Sequence, residues 1–311
     1  MKQVIRFTVR IAIAIFLLIN ILAAWHAYKF THYEKDAVMI ARSPEELSLT
    51  GKMKVLVSGV SLPRPTNKAL PAGKYTTVFI DQTLECWQTK VEHSKGTVLL
   101  FHGYGSCKSS NVGKSQEFNK MGYSTLMIDF HGSGGSAGNS TTIGYNEACD
   151  VKACYDYINK EASEPVILYG TSMGAAAIMK CVSDTKIQPK ALILECPFGT
   201  MQQTVENRFS SMGLPSFPMA NLLVFYGGLL NGFWAFSHNP SDYADNINVP
   251  VLLLCGGKDE RVTQAEIDSI YMHLLGSKRK VIYPNAKHES YLKHYREEWK
   301  EDVICFLGEG S

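Results

Sequence analysis

From about residue 96 to residue 285 the chain repeats one pattern. A short run with almost no polar residue gives way to a longer amphipathic stretch. The runs are "GTVLLFHG", "STLMIDFHG", "PVILYG", "ALILECPF", "VPVLLLCGG" and "KVIYPN". The amphipathic segments lie around 113–121, 144–160, 174–183 and 263–275. Runs this apolar suit strands covered on both faces, and their alternation with helices argues for a parallel, doubly wound sheet. Two further runs precede them, "YTTVFIDQ" and "TLECWQTKV", which read as strands or half-buried hairpin partners. "SYLKHYREEWKEDVICFL" reads as a closing helix. With 311 residues, 45% hydrophobic and 19% charged, the chain fits one large domain better than two small ones.

One stretch breaks the alternation. Residues 199–246 should hold a single crossover helix but are several times longer, and they carry Phe209, Phe217, Leu222, Phe225, Phe233 and Trp234. Such an apolar insert needs a surface to cover, and it reads as a helical lid over the carboxyl ends of the strands. The competing reading is a helix pair that extends the core. Residues 31–74 form an approach segment to a domain spanning 75–311. It holds a helix start at Ser43-Pro44, a strand "KMKVLVSGV" and a proline-studded loop, "SLPRPTNKALPAG".

Residues 1–30 open with Lys2, Arg6 and Arg10 and then run about 15 residues from Ile11 to Trp25 with only Asn20 polar. That is short for a hydrocarbon layer of about 30 Å, but Arg10 and Lys29 extend the usable span by snorkelling. A cut after Ala24 or Ala27 would place Leu22 or Trp25 at the third position back, and neither makes a small-x-small signal-peptidase site. An uncleaved transmembrane anchor is therefore preferred over a secreted chain, with the N-terminus inside and the domain outside. The eight cysteines form no C-x-x-C and no disulfide-like spacing, which points instead to a reducing compartment. Lys and Arg number 31 against 29 Asp and Glu, with no basic stripe, so nucleic acid is not an expected partner.

In open α/β sheets, sites form where strands end. The strand "PVILYG" runs into Gly170-Thr171-Ser172-Met173-Gly174 and then into an Ala-rich helix, which puts Ser172 on a sharp strand-to-helix turn as a candidate nucleophile. Asp259 follows the strand "VPVLLLCGG" and His288 follows "VIYPN". The chain order Ser, Asp, His is the one this architecture demands of a catalytic triad: His288 would take the serine proton while Asp259 orients it. Glu195 is the rival acid, Cys107 a weaker rival nucleophile, and His102 reads as a structural loop histidine. The glycine-rich "HGYGSCKSS" after another strand is suited to aim backbone N–H groups at a developing oxyanion. Losing one such donor costs about 3–4 kcal/mol of transition-state stabilisation.

Taken together, these stretches resemble the α/β-hydrolase superfamily, in its monoglyceride lipase and serine aminopeptidase-like branch. The matching residues are His102 to Gly105, Asp129 to Ser136, Gly170 to Gly174, Gly256 to Val262, and His288-Glu289. The resemblance runs from about residue 75 to the C-terminus. It implies a mostly parallel sheet of about eight strands, a triad of Ser172, Asp259 and His288, oxyanion donors at the amides of Tyr104 and Met173, and no metal or organic cofactor. His131 departs from the family, where arginine is frequent. The expected function is serine hydrolysis of a carboxylic ester or thioester presented near a membrane, as a small acyl substrate. A peptidase acting on short acyl-peptides or N-terminal residues with the same machinery is the first alternative, and a binding protein without chemistry the second.

Overall fold

A computed structural model describes residues 1–34, 50–51, 58–161 and 164–308. The expected helix at Ser43 and residues 52–57 of the expected strand "KMKVLVSGV" fall outside the described residues. The chain opens with a helix, Lys2–Thr31, and a two-residue pairing of β1 (Tyr33–Glu34) with β2 (Leu62–Pro63). The main sheet is built from β3 (Thr76–Ile80), β4 (Leu84–Thr89), β5 (Thr97–Phe101), β6 (Ser124–Ile128), β7 (Val166–Thr171), β8 (Ala191–Glu195), β9 (Val251–Gly256) and β10 (Lys278–Tyr283). Their spatial order is β10-β9-β8-β7-β5-β6-β4-β3. The pairs from β10 to β6 are parallel, and β4 is antiparallel to both β6 and β3.

The apolar runs behave as their composition requires. Every residue of β5, β6, β8 and β9 is buried. Alternate side chains enter two cores, one on each face of the sheet. Leu99, Leu126, Leu168, Leu192 and Leu253 face the helix Met173–Thr185. Leu100, Met127, Tyr169, Ile193 and Leu254 face Phe118, Trp299 and Val303. Each such side chain stabilises the fold by roughly 1.5–3 kcal/mol when fully buried. The edges differ: β10 carries Lys278, Arg279 and Lys280 and is only partly buried, as suits a strand that must not pair further.

The closing helix is two helices. Tyr291–His294 ends at Tyr295, whose φ of −133° interrupts the helix, and Arg296–Gly308 follows. That break lets the Tyr295 ring lie against Tyr283, with centroids 5.2 Å apart.

Residues 199–246 form the helices Met201–Ser211 and Met219–Leu230 followed by short turns. The segment is two-sided. Met201, Val224, Ala235 and Ala244 join the core, whereas Phe217, Leu229, Leu230 and Trp234 are exposed. The Met219–Leu230 helix lies along the N-terminal helix, and the Tyr226 hydroxyl donates to Asn20 Oδ1 at 2.9 Å. The N-terminal helix is apolar and exposed over most of its length, but its last turns bury Ala23, His26, Ala27 and Thr31. At about 1.5 Å per residue its 30 residues reach roughly 45 Å, well beyond the short apolar run read from the sequence.

Candidate active site

The turn after β7 carries Ser172 at φ 51° and ψ −111°, a left-handed conformation that a residue with a Cβ adopts only under strain. Three constraints hold it there. The Ser172 amide donates to the Glu195 carbonyl at 2.7 Å, and its carbonyl accepts from Ala176 at 3.0 Å, which starts the helix. The flanking glycines allow the tight crossing. A Cβ at Gly170 would stand 2.5 Å from the Gly174 carbonyl carbon, and one at Gly174 would stand 2.6 Å from the Phe101 oxygen. A sequence lacking either glycine has no room to make this turn.

His288 arrives from the loop after β10 and Asp259 from the loop after β9, so neighbouring parallel strands deliver them to one end of the sheet. His288 Nε2 lies 3.1 Å from Ser172 Oγ, and Nδ1 lies 2.8 Å from Asp259 Oδ2. The other oxygen, Oδ1, accepts from the amides of Arg261 at 2.8 Å and Val262 at 3.0 Å, which fixes the carboxylate. The Asp259 side chain is 2% exposed and that of His288 16%. Hydroxyl, imidazole and carboxylate thus form one hydrogen-bonded series.

The rival groups are occupied elsewhere. Glu195 is fully buried, taken up by the Tyr169 hydroxyl and by Lys114 Nζ at 3.1 Å. Cys107 is buried with its thiol donating to the Thr66 carbonyl, and burial pushes that thiol above its ordinary range. His102 is buried and accepts the Phe130 amide at Nε2, while burial holds its pKa below the usual imidazole value. His131, where relatives often carry arginine, pairs with Asp150 at 2.8 Å, and that carboxylate raises its pKa.

Tyr104 lines the cavity that Ser172 opens into, and Met173 follows Ser172 as the first residue of the helix. Neither backbone N–H donates to an acceptor among the described residues. The Tyr104 side chain is fixed from outside the loop, because its hydroxyl donates to the Phe30 carbonyl at 2.6 Å. Further back, Asp129 fastens the glycine-rich loop. It accepts from the Lys108 amide at 2.6 Å, from Lys108 Nζ, from Asn67 at 2.8 Å and from the Gly135 amide at 2.9 Å. Burial works against the Asp129 charge, yet Lys108 outweighs it and holds the carboxyl below its ordinary range.

Two features of the site went unread in the sequence. Cys196 Sγ lies 3.9 Å from His288 Nε2, with burial keeping the thiol well above its ordinary range. Arg208, from the Met201–Ser211 helix, lines the same cavity of about 220 Å³ as Ser172, together with Arg261. Nothing in "VENRFSS" distinguishes that arginine from a helix-surface cation.

The serine aminopeptidase, S33, family matches residues 92–224. The uncharacterised protein YqkD of Bacillus subtilis is 24% identical over 216 residues, covering 68% of this chain and 70% of its own. A lysophosphatidylserine lipase of Xenopus tropicalis, ABHD12, is 25% identical over 141 residues, 43% of this chain and 36% of its own. Among solved structures, an esterase of Pyrococcus furiosus superposes with a TM-score of 0.67 at 25% identity, covering 79% of this chain and 96% of that one. An enzyme that matches nearly end to end shares the strand path and not merely a motif, so this chain has the α/β-hydrolase fold.

Proposed function

We propose that this protein is a membrane-anchored serine hydrolase that cleaves carboxylic esters or thioesters through an acyl-enzyme. The observation that carries the reading is the hydrogen-bonded series from Asp259 through His288 to Ser172, with the serine on a strained turn. Ser172 Oγ attacks the carbonyl carbon as His288 Nε2 takes its proton. Asp259 holds the imidazole in the tautomer that leaves Nε2 free to accept, and it stabilises the imidazolium. The oxyanion is received by the amides of Tyr104 and Met173. Collapse expels the alcohol or thiol with the proton from His288, and water repeats the cycle to release the acid.

The esterase among the structural neighbours and the lipase among the relatives favour an ester. A peptidase reading draws on the serine aminopeptidase family match. Recognition of a free α-amine requires an acidic pocket, whereas the cavity beside Ser172 is lined by Lys114, Arg208 and Arg261 against the single carboxylate of Glu289. The anchor reading rests on the 30-residue apolar helix, and its leading basic residues support an N-terminus inside with the catalytic domain outside. The buried last turns of that helix favour retention over cleavage, since a cut after Ala27 would remove packed residues. The Met219–Leu230 helix lies along it and carries exposed Phe225, Leu229 and Leu230, which supports a lid that meets the bilayer. A fluorophosphonate probe should label the wild type and not Ser172→Ala; equal labelling of both overturns the assignment.

A further inference from the structure

The cavity beside Ser172 carries more cationic than anionic side chains, with Glu289 its one acid. Three basic side chains line it: Lys114, Arg208 and Arg261. Lys114 is spoken for, with Nζ 3.1 Å from Glu195 and 2.8 Å from Thr171 Oγ1. The two arginines are not. Among the described residues, neither guanidinium has a carboxylate within 4 Å. The acids nearby face other groups. Asp259 serves His288 and the amides of Arg261 and Val262, while Glu289 accepts from the Lys287 amide and lies 3.4 Å from His294.

Arg208 is also held in place. Its guanidinium carbon sits 5.6 Å from the centroid of the Tyr104 ring, and that ring is itself fixed by the hydroxyl's bond to the Phe30 carbonyl. Partial burial, together with the nearby Arg261 charge, holds its pKa below the ordinary arginine value. A desolvated cation without an anion is unfavourable, and a site keeps one when a ligand supplies the missing charge. Guanidinium is suited to this because its planar fork binds phosphate or carboxylate oxygens in pairs.

Resting on the serine-hydrolase reading, we propose that Arg208, assisted by Arg261, is a specificity residue that binds an anionic oxygen group, phosphate or carboxylate, carried by the ester substrate close to the scissile bond. The substrate class is then an acyl ester with one apolar arm and one anionic arm. The apolar arm suits the exposed aromatic and aliphatic side chains of the insert, and the anionic arm the two guanidinium groups.

The test uses the full chain in detergent and three esters of one acyl chain length. One has glycerol as the leaving group, one glycerol phosphate, and one carries a free carboxylate at the far end of the acyl group. The wild type should prefer at least one charged ester over the neutral one in kcat/KM. In Arg208→Gln that preference should fall roughly tenfold or more, mostly through KM, as expected for loss of a charge-assisted hydrogen bond. Arg208→Lys should recover part of it. Preference for the phosphate ester places the anion on the leaving group, and preference for the half ester places it on the acyl side. A wild type that favours the neutral ester overturns the inference. So does an Arg208→Gln variant that loses charged and neutral turnover in equal measure, since that marks a structural role. In either case, labelling of Ser172 by the probe leaves the hydrolase reading standing. A wild type that ignores both the probe and all three esters removes that reading and this inference with it.

Discussion

His238 should make the insert acid-labile. The ring is fully buried, with Nε2 3.1 Å from the Ile143 carbonyl, Nδ1 3.0 Å from the Tyr243 hydroxyl, and Tyr145 and Phe198 packed edge-on. Burial pushes its pKa down to about 4; the Ile143 carbonyl opposes this, and Lys180 adds to it. An unfolded histidine titrates near 6.5, so between the two values the unfolded chain holds a proton that the folded chain refuses. The stabilisation is therefore complete above the unfolded value and is lost as pH falls. At about 1.4 kcal/mol per pH unit, the full gap amounts to roughly 3 kcal/mol, of which about 2 kcal/mol is gone by pH 5. Guanidinium unfolding of wild type and His238→Gln from pH 7 to pH 4.5 isolates this contribution. Glutamine keeps an N–H for Ile143 and never titrates. The stability advantage of the wild type over the variant should shrink by about 2 kcal/mol between pH 7 and pH 5. His131, whose paired carboxylate shifts its pKa the other way, is common to both proteins and cancels. An advantage that stays constant to within about 0.5 kcal/mol over that range would show that the ring takes its proton without leaving its pocket, and would refute the argument.

Two predictions concern backbone placement. Gly170→Ala sets a methyl group 2.5 Å from the Gly174 backbone and should destabilise the fold by roughly 2–4 kcal/mol while abolishing probe labelling. Gly227→Ala, in a helix with nothing within 4 Å of the new methyl, should be neutral or slightly stabilising in a thermal melt beside wild type and Gly170→Ala. A chain beginning at Tyr28 loses buried Ala23, His26 and Ala27. Its Tm should fall several degrees below that of full-length protein in the same detergent, since each kcal/mol moves a domain of this size by roughly 2–4 °C. Equal melting temperatures would mean that the helix end contributes nothing to the fold.

The parts of the fold legible in the sequence were those fixed by local pattern. Fully apolar runs became the buried strands β5 to β9, because a strand covered on both faces has no polar side to show. The turn at Ser172 was legible because its glycines answer a steric demand between adjacent elements, visible within five residues. Ser172, Asp259 and His288 were picked out by their positions after strands, and the structure brings those three side chains within hydrogen-bond reach. What stayed hidden depends on contacts between distant segments. The break at Tyr295 serves a ring contact with Tyr283 from another element, which helical periodicity does not encode. His238 reads as one more insert histidine until Ile143, Tyr145 and Phe198 close around it.

The same reasoning accounts for Tyr104. Its place in a glycine-rich loop was visible, but not the way its side chain is gripped. The Phe30 carbonyl takes its hydroxyl and Arg208 covers its ring, so the last turn of the N-terminal helix and the first helix of the insert both fix this loop. The N-terminal helix also presents a long apolar surface, as does the second helix of the insert, Met219–Leu230, and those two lie against each other through Asn20 and Tyr226. The residue proposed to receive the oxyanion is therefore held on one side by a helix of the pair that would meet a bilayer. A change in how that pair of helices sits should reach the backbone at Tyr104 before it reaches Ser172, because the serine turn is braced separately by Glu195 and by close glycine packing.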